Sequence, residues 1–385
     1  LSDMDLTDTI LRRANLSGVN LTGTILTGAN LSNSNLTGVD LSDKDLTGTI
    51  LNRANLVNTK LTGTILKEAN LSNSNLTGAD LTGADLTGTF LRGANLDHTI
   101  LPDVGLSGKN FKYASFIGVD LSGKDLSTSD FSHSKLDNAN LENANLNASS
   151  FVGIDLTKIK NKSLVGADLG GTAFSYSNLS GVNLAGTILK RTNFYNSNLS
   201  GQDFTVRSEA STQGLIFMEA NLSDSNFEGV NLSPTEFFTS TFKNKAHLKQ
   251  ETVSYYHSKD LVVELFDPAL DNVHILSTEV SGNDLVVSYV FFNNFTDANL
   301  ENANFKNADL WITDFYSANL TNANLSGADL RKSLLVNADL SNVNLQSANI
   351  SGADLSGADL SGADLSDVIY DQDTILKCVN HDICA

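Results

Sequence analysis

The chain has 385 residues, 41% of them hydrophobic, with 28 glycines, 3 prolines and 2 cysteines; 25 lysines and arginines against 44 acids leave a net charge of −19. Plentiful, regularly spaced apolar residues exclude a disordered polyelectrolyte, and the scarcity of proline and cysteine excludes collagen and a disulfide-dense scaffold. The acidity argues against direct binding to nucleic acid or to an anionic membrane, and no apolar run, the longest lying near 285–292, is long enough for a transmembrane helix.

From Leu1 to Leu156 nearly every fifth residue is Leu, Ile or Phe, beginning Leu6, Leu11, Leu16, Leu21. Two residues before each stands a small or β-branched residue (Ala14, Val19, Thr24, Ala29), with Asn, Asp or another polar residue between and Ser-Gly or Thr-Gly after. The unit reads A-[DN]-L-[ST]-G. A period of five fits neither a helix nor an open strand. It fits a chain that turns a corner every five residues, so that four corners close a coil of 20. The phenylalanines carry the same number: Phe111, Phe131 and Phe151 are 20 apart, as are Phe174 and Phe194, Phe217 and Phe237, and Phe295 and Phe315. The gaps from Phe151 to Phe174 and from Phe194 to Phe217 are 23, which predicts three-residue bulges near Thr157–Ser163 and Thr205–Gly214. Phe111, Phe131, Phe151, Phe174, Phe194, Phe217 and Phe237 then form one core ladder. Residues 9–48 and 49–88 match at 29 of 40 positions, the mark of a duplicated two-coil block.

This pattern resembles the pentapeptide-repeat family. The resemblance implies an all-β fold, a right-handed quadrilateral parallel β-helix of about 17 coils, and it is specific for shape rather than chemistry. The predicted organisation is a β-helix over 1–242, an insertion loop over 243–264, a continuation of the same β-helix over 265–370, and a C-terminal cap over 371–385. The five-residue beat fades after Phe242 and returns by Ile275, Val280, Leu285 and Val290, which leaves one coil plus an 18-residue insertion, Lys243–Asp260. That loop is basic and aromatic, with Lys243, Lys245, His247, Lys249, Tyr255, Tyr256, His257 and Lys259, and loops of distinct composition on a rigid scaffold are where binding residues gather. The tail from Tyr370 looks like the segment that caps many family members. Cys378 and Cys384 are close enough in sequence to form a disulfide over the last coil, covering apolar side chains and strand edges. The repeat is already in phase at Leu1, and its open coil end calls for a cover of its own.

Catalytic signals are missing from the sequence. His98, His133, His247, His257, His274 and His381 show no ligand or triad spacing, and no phosphate-binding or nucleophile motif occurs. No enzyme is expected, and no cofactor. The acidity is uneven along the chain: residues 295–385 carry −9, against −3 for residues 1–110. Asp339 and Asp359, 20 apart, are expected to stack one coil above the other, where a hard cation such as Ca²⁺ would relieve their repulsion; hydrated, outward carboxylates are the favoured reading. Asn15, Asn20, Asn30, Asn35, Asn70, Asn75, Asn147, Asn161, Asn178, Asn198, Asn221, Asn231, Asn294, Asn319, Asn324 and Asn349 begin glycosylation sequons, though the repeat generates this triplet by itself.

The function expected is a non-enzymatic structural or interaction protein: a stiff scaffold for extracytoplasmic assembly, secreted or at the cell surface, with a cytoplasmic setting as the alternative. Partners are expected to be proteins, foremost further copies in an oligomer, filament or lattice, with the basic loop of one copy docking on the acidic C-terminal coils of another. Two other readings stand beside it. The resemblance implies an acidic DNA mimic that binds or inhibits a topoisomerase such as gyrase; a cell-surface adhesin or cation-binding module is the third.

Overall fold

The computed structural model describes residues 1–205, 214–228, 230–232, 237–242, 273–281 and 284–384. They divide into two compact units, Leu1–Ile188 and Leu189–Ala385. No α-helix occurs among the described residues.

The first unit is a stack of coils. Residue i pairs in parallel with residue i+20 once every five residues: Ile10 with Asn30, Asn15 with Asn35, Asn35 with Asn55, Asp40 with Lys60. Between bridges the chain turns, and Ala14 N–H donates to Leu11 O at 3.1 Å to close the turn, while Leu11 N–H reaches Asn30 O of the next coil at 2.8 Å. The third turn residue takes a positive φ, as a type II turn requires; Gly93, at φ 70°, shows why glycine recurs there, since an added Cβ would lie 2.4 Å from Asn73 Oδ1.

Each position of the five-residue unit has a physical task. The Leu and the small residue two before it point inward, and Leu31, Leu36, Ala54 and Leu61 are buried. Burying each Leu is worth about 1.5–3 kcal/mol. The Asn or Asp between them turns its side-chain oxygen onto the corner, as Asn30 Oδ1 accepts from Ser32 N–H at 3.1 Å. Inward hydroxyls find carbonyls of the coil below, Thr64 Oγ1 donating to Leu41 O at 2.9 Å. The expected bulge between Phe151 and Phe174 takes the form of two 3-10 turns, Leu156–Lys158 and Lys160–Lys162, and pairing resumes at an offset of 23 from Ser150 to Ala173.

The phenylalanine ladder runs inside each unit. In the first, Phe111–Phe131, Phe131–Phe151 and Phe151–Phe174 have centroids 4.9, 5.0 and 5.5 Å apart. In the second, Phe194–Phe217, Phe217–Phe295 and Phe295–Phe315 stand at 5.3, 4.9 and 5.0 Å. The stacking partner of Phe217 is therefore Phe295, 78 residues further along the chain. A second ladder, Phe204–Phe227–Phe305, stacks at 4.4 and 4.6 Å and meets the first edge-on.

Phe237 has a different place, and with it the expected continuation of the coils from residue 265 is corrected. Strands β1 (Phe237–Phe242), β2 (Val273–Ser281) and β3 (Asp284–Phe291) form an antiparallel sheet in the order β1-β3-β2. Phe237 pairs with Val290, and Ile275 with Tyr289, so Ile275, Val280, Leu285 and Val290 belong to strands despite their five-residue spacing. Ser281 pairs with Asp284 at the end of the β2–β3 ladder. The coils resume at Asn294, which pairs with Ile216; Asn304 and Asn226 likewise stand 78 residues apart where 20 is the rule, so the excursion is far longer than 18 residues. Lys243–Asp260 and residues 206–213 of the second bulge lie outside the described residues. In the C-terminal cap, Ile375 and Val379 still pair with Asp354 and Asp359, and Cys378 is bonded to Cys384 with Cα atoms 4.9 Å apart.

Candidate interaction surface

The interiors of the coils are filled, so the surface is left to the corners and bridge rows. Sorted by corner, the charges of the first unit separate. One corner carries, coil by coil, Arg12-Arg13, Ser32-Asn33, Asn52-Arg53, Ser72-Asn73, Arg92-Gly93, Lys112-Tyr113 and Ser132-His133. An unbroken run of backbone hydrogen bonds stacks these corners: Arg13 N–H to Ser32 O, Asn33 to Asn52, Arg53 to Ser72, Asn73 to Arg92, Gly93 to Lys112 and Tyr113 to Ser132. No carboxylate occurs on this corner, nor on the rows flanking it from Ile10 to Ser115. All four arginines of the unit are here.

None of them is ion-paired among the described residues. Among the described residues of the unit, salt bridges join Lys60 to Asp40 at 3.5 Å, Lys124 to Asp103 at 3.0 Å and Lys158 to Asp155 at 3.4 Å. Arg12 Nε donates to Ser32 Oγ at 3.2 Å. Arg92 lies over the ring of Tyr113 at 5.4 Å and Lys112 Nζ at 5.6 Å, and Tyr113 stacks on His133 at 5.4 Å. Ser72, Asn73, Arg92, Gly93 and Tyr113 line a shallow cleft of about 380 Å³. Arg13, Arg53 and Tyr113 hold φ of 61°, 56° and 63°, a left-handed backbone that Gly, Asn or Asp occupies more cheaply. Beside the corner, Ile10, Ile50 and Phe90 stand exposed at every second coil.

The corner two turns away is the counterpart. It and its flanking rows carry Asp3 and Asp5, then Asp40, Asp43 and Asp45, then Asp80 and Asp85, then Asp120 and Asp125. Corner hydroxyls hold several of these carboxyls below the usual range: the Thr7 side chain for Asp5, Ser42 for Asp40, Thr82 for Asp80, Thr87 for Asp85 and Ser122 for Asp120. Lys109 takes an inward position and donates to Leu86 O at 2.5 Å; burial pushes its ammonium down, and Asp85 opposes the shift.

The repeated A-[DN]-L-[ST]-G unit, the offset of 20 and the corner turns meet a family model. The model for pentapeptide repeats matches residues 1–160, 163–201, 294–331 and 333–369. The chain belongs to the pentapeptide-repeat family. Among solved pentapeptide-repeat structures, HetL from the cyanobacterium Nostoc, involved in heterocyst differentiation regulation, is 22% identical over 92% of this chain and 90% of its own, with a TM-score of 0.21. Full-length QnrB1, a plasmid-mediated fluoroquinolone resistance protein, is 16% identical over 73% and 90%, with a TM-score of 0.26. A protein of the Arabidopsis thaliana thylakoid lumen is 26% identical over 32% and 68%, with a TM-score of 0.15. No curated protein matches the chain.

The residues singled out from the sequence of this pentapeptide-repeat protein fall in several places. The loop residues Lys243, Lys245, His247, Lys249, Tyr255, Tyr256, His257 and Lys259 lie outside the described residues. Asp339 and Asp359 do pair across neighbouring coils. Their carboxylates are engaged: Asp339 Oδ1 accepts from Ser341 N–H at 2.9 Å, and Asp359 Oδ1 from Ser361 N–H and Asn380 Nδ2, both at 2.9 Å. No group of three metal-ligating side chains occurs among the described residues. Most sequon asparagines serve as corner acceptors; Asn35 Oδ1 takes Thr37 N–H at 3.1 Å while its Nδ2 donates to Asn15 Oδ1 at 3.1 Å. No helix among the described residues is long and apolar enough to cross a membrane. The arginine corner is invisible in the net charge of successive segments, because its residues lie a full 20-residue coil apart in sequence.

Proposed function

We propose that this protein is a non-enzymatic protein-interaction scaffold that presents the arginine corner of its first unit to an anionic partner surface. The observation that carries the reading is the set Arg12, Arg13, Arg53 and Arg92: four guanidinium groups on one corner, exposed, without a carboxylate partner among the described residues, in a chain of net charge −19. Two of them occupy left-handed backbone where the repeat elsewhere accepts glycine, and a costly conformation kept at a surface points to use. Arginine rather than lysine suits planar, bidentate recognition of carboxylates.

Stacked as a right-handed quadrilateral β-helix, the coils supply stiffness and fixed spacing, and the corners supply specificity. Filled coil interiors favour recognition over catalysis, and no cofactor is needed. A DNA mimic would show acid around its rim, and the basic corner runs against that form in the first unit. The paired cysteines of the cap support an oxidising setting outside the cytoplasm.

Retention on a sulfonated cation-exchange resin at neutral pH tests the reading. The wild-type chain, despite its net charge, is expected to bind at low salt and to elute as screening grows. The variant Arg12→Asn, Arg13→Asn, Arg53→Asn, Arg92→Asn is expected in the flow-through. Equal behaviour of the two would remove the arginine corner as a binding surface.

A further inference from the structure

Resting on that reading, we infer that the partner of the arginine corner is the acidic corner of a second copy of this chain, laid alongside in the same direction. The two corners belong to one unit and lie two turns apart, so a sideways translation of one copy brings them face to face. Their charges share a period. Basic groups recur at Arg12-Arg13, Arg53 and Arg92, and acids at Asp3-Asp5, Asp43-Asp45 and Asp80-Asp85, both every second coil, and Lys112 and Asp103 extend the two edges by one further coil. With about 4.8 Å per coil, the rungs on both edges are about 9.6 Å apart and span about 19 Å.

The rungs are in phase at zero offset along the axis, and apart from Lys60 the intervening coils are uncharged or apolar on both edges: Asn33 and Asn73 on one, Ile25 and Ile65 on the other. Lys60 interrupts the acidic side and is tied to Asp40 at 3.5 Å. Exposed Ile10, Ile50 and Phe90 flank the basic corner, and exposed Ile25 and Ile65 flank the acidic one, so apolar contacts accompany the ion pairs. Shared period follows from the duplicated block of residues 9–48 and 49–88, which copies each edge at the same two-coil step. The contact uses different patches on the two copies, so it is heterologous and propagates into a lateral array.

Charge exchange tests this by sedimentation at about 0.05 M salt. Wild-type chain is expected to associate and to dissociate at about 0.5 M salt. Arg53→Asp with Arg92→Asp, and separately Asp45→Arg with Asp85→Arg, are each expected to lose about tenfold or more in association. An equal mixture of the two is expected to regain it, because each basic edge then meets an acidic one. Asp45→Asn with Asp85→Asn retains an oxygen to accept the Thr47 and Thr87 amides, so its weakened association would not reflect a lost corner. A mixture that fails to associate overturns the pairing. Wild-type chain that stays monomeric at low salt but is retained on the sulfonated resin overturns the second copy and leaves the scaffold reading standing. A monomer not retained removes both. Heparin or duplex DNA bound by a wild-type monomer would assign the corner to a polyanion, and would also overturn the proposal.

Discussion

The two charged edges of the first unit share a backbone and differ in almost everything else. Both are stacks of the same turn, closed by the same backbone hydrogen bonds and backed by the same leucine interior. On the acidic edge several carboxylates are employed by the fold, since Asp5, Asp40, Asp80 and Asp85 cap their own corners through Thr7, Ser42, Thr82 and Thr87. On the basic edge the long side chains of Arg53 and Arg92 do nothing for the turn. Arg331 of the second unit sharpens the contrast, because its guanidinium clasps Asp329, with Nε donating to Oδ1 at 2.8 Å and to Oδ2 at 2.9 Å. The difference teaches that coil formation dictates the inward residue, the small residue and the corner acceptor, and leaves the two turn residues free to carry function.

Interior and corner should therefore respond differently to substitution. Phe131→Ala, which breaks the ladder between Phe111 and Phe151, is expected to cost about 3–5 kcal/mol in thermal or denaturant unfolding. Asn30→Ala removes the acceptor of Ser32 N–H and should cost about 0.5–1.5 kcal/mol. Arg53→Asn should move the other way, gaining about 0.5–1 kcal/mol as a residue suited to positive φ replaces one that is not, while association weakens. A loss of stability in Arg53→Asn would return that arginine to the fold.

The smallest expected effect is on pH. Asp40, Asp80 and Asp120 have folded pKa values lowered from 3.8, so the folded chain binds protons less readily than the unfolded chain. Their contribution is complete above about 3.8 and is lost as pH falls through the lowered values. Melting temperature should decline across that acid window in wild type, and less steeply in Asp40→Asn.

Much of the coil was legible in the sequence because its core is periodic: Leu31, Leu36 and Phe131 mark a five-residue beat that no helix or open strand produces. The antiparallel sheet was not. Ile275, Val280, Leu285 and Val290 keep the beat by spacing alone, while β-branched residues between them favour paired strands, and spacing cannot distinguish the two. The uneven distribution of charge along the sequence was legible too. The division between edges was hidden because residues that stack in space, such as Arg13, Asn33 and Arg53, are separated by a full coil in sequence.

Whether one edge meets the other is read most directly by carbodiimide cross-linking of a mixture of isotope-labelled and unlabelled chains at low salt. Lys112, on the basic corner, should join to Asp85, Asp103 or Asp120 of a differently labelled copy. Mixed-label links from Lys112 to the acids of residues 339–373 instead, or no mixed-label links at all, would contradict the lateral pairing.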